Sequence, residues 1–306
     1  MEKILINMLL VTGATGFLGS NVMKEIGKVR KDVRILAVDA EEAKRMYPKY
    51  EIITGDIMNP DTLKGLGKGV DTVIHLAGIV SYTKPKDELF RINVDGTRNV
   101  LEACRKAKFI FSSSVSVYGE IHGQADESYP RDPKNAYGES KREAENIIRD
   151  SDVRNVILRI APVYGAGSPQ WMKNLSMLEK GFPIPQTENL THVAHISNVV
   201  QAFRLAMKKE AKGIYNIADK EPVAFVEFAS ELVSLLGKEP NVVPYWFVSF
   251  IARMKGMKTY LDVLAMNRSY DITNAIKELG YDPEIDFHAE LERMVSWYKN
   301  TKEKAN

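Results

Sequence analysis

The segment LLVTGATGFLG, residues 9–19, carries the clearest indication of the fold. A short apolar run is followed by Gly13, Gly16 and Gly19, a spacing that predicts a buried strand, a tight turn and the start of a helix. Glycine allows the turn, the close approach of backbone to a ligand, and helix–strand packing. The first N–H groups of such a helix and its positive dipole end attract phosphate. The stretch therefore predicts a site for the pyrophosphate of a dinucleotide.

The pattern of apolar runs and amphipathic stretches continues through the first half of the chain. Each apolar run is short, rich in Val, Ile and Leu, and lacks polar alternation, as expected for strands covered on both faces. Repeated β-α-β units predict an α/β fold, a Rossmann-type doubly wound parallel sheet with right-handed crossovers. The predicted strands are 8–11, 33–38, 51–53, 72–76, 108–112 and 155–159, and the intervening helices include 16–29, 93–107 and 137–150.

The pattern changes after Tyr164. Gly- and Pro-containing loops surround a short helix at 170–180, then 191–207 reads as a strand leading into a helix and 213–218 as another strand. We therefore expect a dinucleotide-binding domain at 1–165 that also receives 191–218. Segments 166–190 and 219–306 would form a smaller, mostly helical substrate-binding lobe.

Composition excludes several classes of protein. A net charge of +2 on 306 residues gives no reason to expect nucleic acid, and the single cysteine, Cys104, cannot form an intramolecular disulfide. No targeting segment is evident, so we expect a cytoplasmic protein.

The apolar run 242–251 is interrupted by Pro244 and spans about half of the roughly 20 residues that a membrane helix needs. Lining of a pocket or core is the favoured interpretation of this run, and peripheral membrane contact is the alternative.

Two carboxylates follow the second and third predicted strands. Asp39 lies about 20 residues after the glycine turn, where it can accept hydrogen bonds from ribose hydroxyls and repel the 2′-phosphate of NADP, which favours NAD. Asp56, with Ile57, would lie near the adenine. Further expected cofactor contacts are Thr15, Phe17, Leu18, Leu76, Ala77, Gly78 and Ile160.

The histidines of the chain are interpreted as structural. His75 is expected to pack within its strand. His192 and His195 could form two ligands of a metal, but no third ligand is suggested, so we predict no metal site.

Tyr137 and Lys141 are four residues apart on a predicted helix, so both project from one face. An ammonium beside a phenol favours the phenolate and would lower the phenol pKa from about 10. Such a tyrosine can take a proton from a carbinol while hydride leaves for nicotinamide. Serines 112–114 end the preceding strand, and a hydroxyl there could stabilise the developing alkoxide.

With these motifs in this order, the chain resembles the extended short-chain dehydrogenase/reductase family, also called the NAD-dependent epimerase/dehydratase family. The likeness covers nearly the whole chain, including residues 12–19, 55–56, 75–78, 93–97, 112–119, 137–141, 158–165 and 270–281. It implies that Tyr137 is the acid/base, that Lys141 binds the nicotinamide ribose and tunes Tyr137, and that Ser114 polarises the substrate. Asn93 would be structural. It also implies a homodimer formed through helices 93–107 and 137–150.

Differences between this sequence and the motifs of particular family branches limit the reactions that are expected. Val115 and Ser116 stand where dehydratases of this family carry Asp-Glu, so dehydration is not expected, and Pro162 stands where epimerases often have Asn. Segments 79–82 and 87–93 look more like the branch with 3β-hydroxysteroid dehydrogenases and dihydroflavonol reductases. We therefore favour hydride transfer between a secondary alcohol or ketone and NAD. A UDP-hexose 4-epimerase is the alternative, and a non-catalytic NAD-sensing protein a further one. Candidate substrate contacts are Ser81, Ser114, Ser116, Pro162 and Arg268.

Overall fold

The computed structural model describes residues 8–304, and seven parallel strands form its central sheet. In chain order these are β1 (Met8–Thr12), β2 (Val33–Ala37), β3 (Glu51–Thr54), β4 (Val70–His75), β5 (Lys108–Ser114), β6 (Asn155–Ile160) and the edge strand Gly213–Ile217. Across the sheet the order is edge strand, β6, β5, β4, β1, β2, β3. The order reverses between β1 and β4, which opens a crevice at the carboxyl ends of the strands. The predicted doubly wound parallel fold is confirmed.

Helices cover both faces of this sheet and form much of the remaining chain. They are α1 (Phe17–Val29), α2 (Ala40–Met46), α3 (Lys86–Phe90), α4 (Gly96–Ala103), α5 (Ala136–Arg149), α6 (Pro169–Glu179), α7 (Ile196–Ala206), α8 (Phe225–Leu235), α9 (Tyr245–Met254), α10 (Lys258–Ala265) and α11 (Phe287–Glu303). Arg91–Asp95 and Ala275–Leu279 are π-helical, and Pro60–Leu63 and Val115–Val117 are short 3₁₀ turns.

The alternation of side chains along β1 shows why the strands are apolar throughout. Leu9 and Val11 are buried in a core with α1 and α7, whereas Leu10 points to the opposite core, with α4 and α5. Because successive residues of a strand face opposite sides, both sides must be apolar when helices cover both.

One predicted helix has different bounds. The sequence pattern places its start at Asn93, but helical structure begins at Lys86, preceded by Pro85 at the cap. Asp87 and Glu88 in the first turn favour a helix start there through the helix dipole. Helix α4 ends at Ala103 and is capped by Cys104, whose N–H bonds back to the last turn.

The C-terminal segments build a separate core beside the sheet. Trp171 and Leu175 of α6 pack with Phe228 of α8 and Leu291 of α11. A two-stranded ladder joins Ile184–Gln186 to Val242–Pro244, next to α9. Segment 191–218 supplies α7 and the edge strand of the main sheet, while the assignment of the lobes to separate roles stays a prediction. Within residues 8–304, none of the helices has both the length and the apolar character to span a bilayer.

Candidate active site

The three glycines of the turn after β1 do different work. Gly13 has a φ of +73°, and a Cβ there would lie 2.6 Å from the backbone nitrogen of Ala77. A Cβ on Gly19 would lie 2.7 Å from the Cα of Ala14, so both positions require glycine for packing. A Cβ on Gly16 would instead meet nothing nearer than the Gly13 oxygen at 3.5 Å, which leaves open space at the start of α1.

That helix start is suited to a diphosphate. Gly16 caps α1 without a side-chain hydrogen bond, and the first turn carries no acidic residue. The first N–H groups of a helix have no partner within it, so a bound phosphate can accept from them. The described residues therefore fit the pyrophosphate of NAD.

Asp39 and Asp56 follow β2 and β3, as predicted. Asp39 is exposed and caps α2 by accepting from the N–H of Glu42 at 2.9 Å, which leaves its other oxygen available. Asp56 accepts from the N–H of Met58 at 2.9 Å. Ile57 is buried and packs against helix α4. The contacts of these residues to a cofactor stay predictions.

A cavity of about 700 Å³ opens at the carboxyl ends of the strands. Its lining brings together most of the predicted site. Those residues are Gly13, Gly16, Phe17, Leu18, Gly19, Leu76, Gly78, Ser114, Ser116, Tyr137, Lys141, Ile160, Pro162 and Arg268. The predicted residues outside this lining are Thr15, Asp39, Asp56, Ile57, Ala77 and Ser81.

Tyr137 and Lys141 project from α5 into the cavity. Asn135 fixes the start of the helix by accepting from the N–H of Gly138 at 2.8 Å. Burial raises the pKa of the Tyr137 phenol above its usual range, and the nearby Tyr82 raises it further, whereas a hydrogen bond with Ser114 lowers it. The phenol is therefore protonated at neutral pH.

The Lys141 ammonium donates to the carbonyl oxygen of Ser112 at 2.8 Å and lies 4.7 Å from the centre of the Phe111 ring. Burial lowers the pKa of Lys141 to about 8, against an opposing effect of Glu145. The expected lowering of the Tyr137 pKa by Lys141 is not seen, because burial of the phenol dominates and raises the pKa. A role of Lys141 during the reaction stays a prediction.

The serine side chains at the end of β5 have different partners. The Ser114 hydroxyl lies in the cavity, 3.1 Å from the Ser116 hydroxyl, and accepts from the N–H of Ser116 at 3.2 Å. Ser113 instead donates to the buried carboxylate of Glu145 at 2.6 Å. Among the serines that line the cavity, Ser114 is the one that hydrogen-bonds with Tyr137.

Asn93 braces the site from the helix that precedes α4. Its side-chain nitrogen donates to the carbonyl of Ile79 and to the hydroxyl of Ser140, both at 3.0 Å. Its oxygen accepts from the N–H of Ile79 at 2.9 Å. These bonds tie the loop after β4 to α5, which is the structural role that the family resemblance implies.

His75 is packed within the sheet, as its sequence setting suggests. Its ring nitrogens pair with the hydroxyls of Thr12 at 2.7 Å and Thr97 at 3.0 Å. Burial, with a smaller effect of Lys141, lowers the pKa of His75 to about 3. The ring is therefore neutral and does not act as an acid.

The two other histidines of interest also have structural partners. His192 bonds to the carbonyl of Asp219 at 2.8 Å, and His195 lies 3.3 Å from a carboxylate oxygen of Glu290. Among residues 8–304, no group of three His, Cys, Asp or Glu could hold a metal ion.

Comparison with protein families gives the site its context. The NAD dependent epimerase/dehydratase family matches residues 9–218, which include the glycine turn, Ser114, Tyr137 and Lys141. The chain belongs to this family. The resemblance is therefore confirmed, and with it NAD as the family's cofactor and the prediction of an enzyme of the extended short-chain dehydrogenase/reductase type.

Two relatives of this family member differ in their reactions. It is 30% identical to the N-acetyl-alpha-D-glucosaminyl-diphospho-ditrans,octacis-undecaprenol 4-epimerase of Escherichia coli O157:H7, over 78% of this chain and 76% of the relative. It is 29% identical to the decarboxylating sterol-4-alpha-carboxylate 3-dehydrogenase of Mus musculus, over 79% and 73%. Relatives of the chain are thus both epimerases and dehydrogenases, and the family alone does not determine the reaction.

Solved structures agree on the fold. The dTDP-glucose 4,6-dehydratase of Streptomyces venezuelae, with NAD and TYD bound, has a TM-score of 0.80 at 23% identity, covering 97% of this chain and 98% of that one. The UDP-glucose 4-epimerase of Thermotoga maritima, with UDP-glucose, has a TM-score of 0.78 at 23% identity, covering 96% and 99%.

Tyr82 and Tyr260 line the cavity of this family member but were not predicted as site residues. The ring of Tyr82 lies 6.0 Å from that of Tyr137, edge on, and 6.3 Å from that of Tyr260 in α10. The neighbouring Ser81, predicted as a substrate contact, instead accepts from the N–H groups of Thr83 and Lys84. The position of Tyr82 next to the predicted contact Ser81 could have identified it from the sequence. No sequence pattern points to Tyr260.

Arg268, also predicted to contact substrate, lines the cavity but is buried. Its guanidinium donates to the carbonyl of Val263. The role of this residue stays a prediction.

Proposed function

We propose that this chain is an NAD-dependent oxidoreductase that transfers a hydride between nicotinamide and a secondary alcohol or ketone carbon of a largely apolar substrate. The observation that carries the proposal is the position of Tyr137 and Ser114 in a cavity to which the C-terminal segments contribute many apolar side chains. These include Trp171, Phe182, Ile184, Phe225, Phe228, Leu232, Leu261 and Val263.

The lining combines a large apolar surface with a few cations. Among the described residues that line the cavity, none is Asp or Glu, and the cations are Lys141, Lys173 and Arg268. Burial of apolar surface stabilises a bound substrate by about 25 cal/mol per Å². Without a carboxyl group in the lining, no carboxylic acid is available to expel water, so the cavity gives no support to dehydration.

The residues at the reacting end have complementary tasks. NAD, when bound, supplies the carbon that accepts or donates the hydride. The Tyr137 hydroxyl, protonated at rest, would give its proton to a ketone oxygen in reduction and take one from a carbinol in oxidation. The Ser114 hydroxyl would donate to the same oxygen as charge develops on it. Lys141, held by Ser112, would stay beside the nicotinamide ribose.

A second candidate is the 4-epimerisation of a sugar carried on a diphosphate. Lys173 and Arg268 in the lining could pair with such a diphosphate. The names of the two relatives suggest a feature that both candidate substrates share, because a sterol and an undecaprenol each have a large apolar body. A substrate with a long apolar part is therefore compatible with either reaction.

One experiment separates the two reactions. The purified chain is incubated with NAD and either a panel of 3β-hydroxysteroids and other apolar secondary alcohols, or UDP-sugars and polyprenyl-diphosphate sugars. We expect absorbance at 340 nm to rise with an apolar alcohol. Formation of a 4-epimer without net NADH would favour the second candidate, and neither product with any panel would contradict both.

The preference for NAD is expected to depend on Asp39. Asp39→Asn keeps an oxygen that can cap α2 but removes the negative charge that repels a 2′-phosphate. We expect the ratio of NADP to NAD affinity to rise about tenfold, which corresponds to about 1.4 kcal/mol. Asp56→Asn is the matched control and should leave this ratio unchanged. Equal ratios in the wild type and in Asp39→Asn would show that Asp39 does not select the cofactor.

NAD affinity is expected to fall as the pH rises through about 8, the pKa to which burial lowers Lys141. Below that pH Lys141 carries its charge and donates strong hydrogen bonds, and above it the charge is lost. The dissociation constant, measured by calorimetry, should rise about tenfold across this range. Lys141→Met should bind weakly with no such dependence. A wild-type dissociation constant that stays flat would rule out this role of Lys141.

We also propose a homodimer, on the family resemblance, and a cytoplasmic location, because the single cysteine gives no sign of an oxidising compartment. The dimer would use the helices that contain α4 and α5. Light scattering is expected to give the mass of two chains, and the mass of one chain would contradict the proposal.

A further inference from the structure

Helix α9 presents an unusual concentration of large apolar side chains to the surface. Trp246, Phe250 and Met254 are 71%, 61% and 76% exposed, and Phe247 is 41% exposed. They lie within a single helix of ten residues. Isolated exposed apolar residues are ordinary, whereas a group that includes Trp and Phe marks a contact with something else.

The opposite face of the same helix belongs to the protein interior. Val248 and Ala252, four residues apart, are buried against Leu261 of α10. Ala252 and Leu261 also line the substrate cavity, together with Met257. The exposed apolar group therefore lies on the outer side of a helix whose inner side is a wall of that cavity.

The charges near this group are mainly positive. From residue 241 to residue 261 the sequence contains Arg253, Lys255 and Lys258 and no Asp or Glu. Lys258 pairs with Asp262, whereas Arg253 and Lys255 are exposed at the end of α9. Lys255 also lies 5.8 Å from the centre of the Phe182 ring, another residue of the cavity wall.

We propose that α9 docks the protein on the surface of an anionic phospholipid bilayer and so places the cavity next to the membrane. Trp and Phe side chains suit the boundary between headgroups and acyl chains, and nearby cations are attracted to anionic lipid. A second copy of this chain fits less well, because residues 241–261 of that copy contain no acidic side chain to pair with Arg253 and Lys255. That the membrane delivers the substrate rests on the proposed function, whereas the docking itself does not.

The test is co-sedimentation of the full chain with vesicles of phosphatidylcholine alone or of phosphatidylcholine mixed with phosphatidylglycerol. We expect binding to the mixed vesicles and at least tenfold weaker binding to phosphatidylcholine alone. The double variant Trp246→Ser/Phe250→Ser should lose binding at least tenfold, as should Arg253→Glu/Lys255→Glu. Val29→Ser, at an exposed apolar position on α1, is the matched control and should bind like the wild type.

Several outcomes would overturn the proposal. These are no sedimentation of the wild type with the mixed vesicles, sedimentation unchanged in both double variants, or a dimer in light scattering that Trp246→Ser/Phe250→Ser converts to a monomer. Retained NAD binding in each variant shows that the fold is intact. No substrate is present in the assay, so its result does not depend on the NADH assay that tests the proposed function.

Discussion

Tyr137→Phe is expected to lower kcat by a factor of about 10²–10⁴, the range typical of a lost general acid/base. The change removes one hydroxyl from a buried ring and leaves its packing beside Tyr82 in place. NAD affinity should therefore stay within about a factor of two, because the phenol hydroxyl acts on the substrate oxygen rather than on the diphosphate. The measurement is kcat with the best alcohol from the panel, together with NAD titration.

Tyr82→Phe provides a matched comparison, since it also removes a phenol hydroxyl from the same cavity. A loss in kcat confined to Tyr137→Phe would assign the proton transfer to that residue. If Tyr137→Phe keeps wild-type kcat, or if both variants lose it equally, then Tyr137 is not the acid/base.

The sequence predicts well those parts of the site whose residues are close together in the chain. Gly13, Gly16 and Gly19 must satisfy a turn, a phosphate approach and a helix contact within seven residues, so their spacing carries the information. Tyr137 and Lys141 are likewise neighbours on one helix. Repeated β-α-β units likewise predict a parallel sheet, but they do not give the order of its strands.

The substrate end could not be derived in this way. Tyr82 follows β4 and Tyr260 lies in α10, and only tertiary packing brings their rings to 6.3 Å. The polar side chain of Ser81 suggests a substrate contact, but its hydroxyl instead accepts hydrogen bonds within a local turn. No short-range pattern connects such residues.

The pKa values of Tyr137 and Lys141 could not be predicted from the sequence either. The spacing of Tyr137 and Lys141 correctly predicts that they share a face, but the pKa of each depends on burial. Desolvation disfavours the charged form of both groups, so it raises the pKa of the phenol and lowers that of the ammonium. The sequence motif contains no measure of how deeply either side chain is buried.

The largest stability effect is expected at Glu145, one turn after Lys141 on α5. Its buried carboxylate accepts from Arg159 at 3.0 and 2.8 Å, from Arg131 at 3.2 Å and from Ser113 at 2.6 Å. Burial opposes the charge of Arg159, but hydrogen bonds and attraction from Glu145 outweigh it and raise the Arg159 pKa. Glu145 is therefore the counterion for a guanidinium that is only 1% exposed.

Glu145→Gln should lower the free energy of unfolding by about 3–5 kcal/mol, the usual cost of leaving one member of a buried ion pair unpaired. Urea titration measures the loss. Glu143→Gln on the same helix is the control, expected to change stability by less than about 0.5 kcal/mol because Glu143 is only partly buried. A loss below about 1 kcal/mol for Glu145→Gln would contradict the assignment.

A double replacement identifies the cause of that loss. Glu145→Leu combined with Arg159→Met removes both buried charges, so it should recover much of the stability that Glu145→Gln loses. The buried charge of Arg159, rather than the shape of residue 145, would then be the source of the penalty. If the double replacement is instead less stable than Glu145→Gln, the remaining bonds of Arg159, to the Tyr118 hydroxyl and the Glu127 carbonyl at 2.9 Å, matter more than its charge pairing.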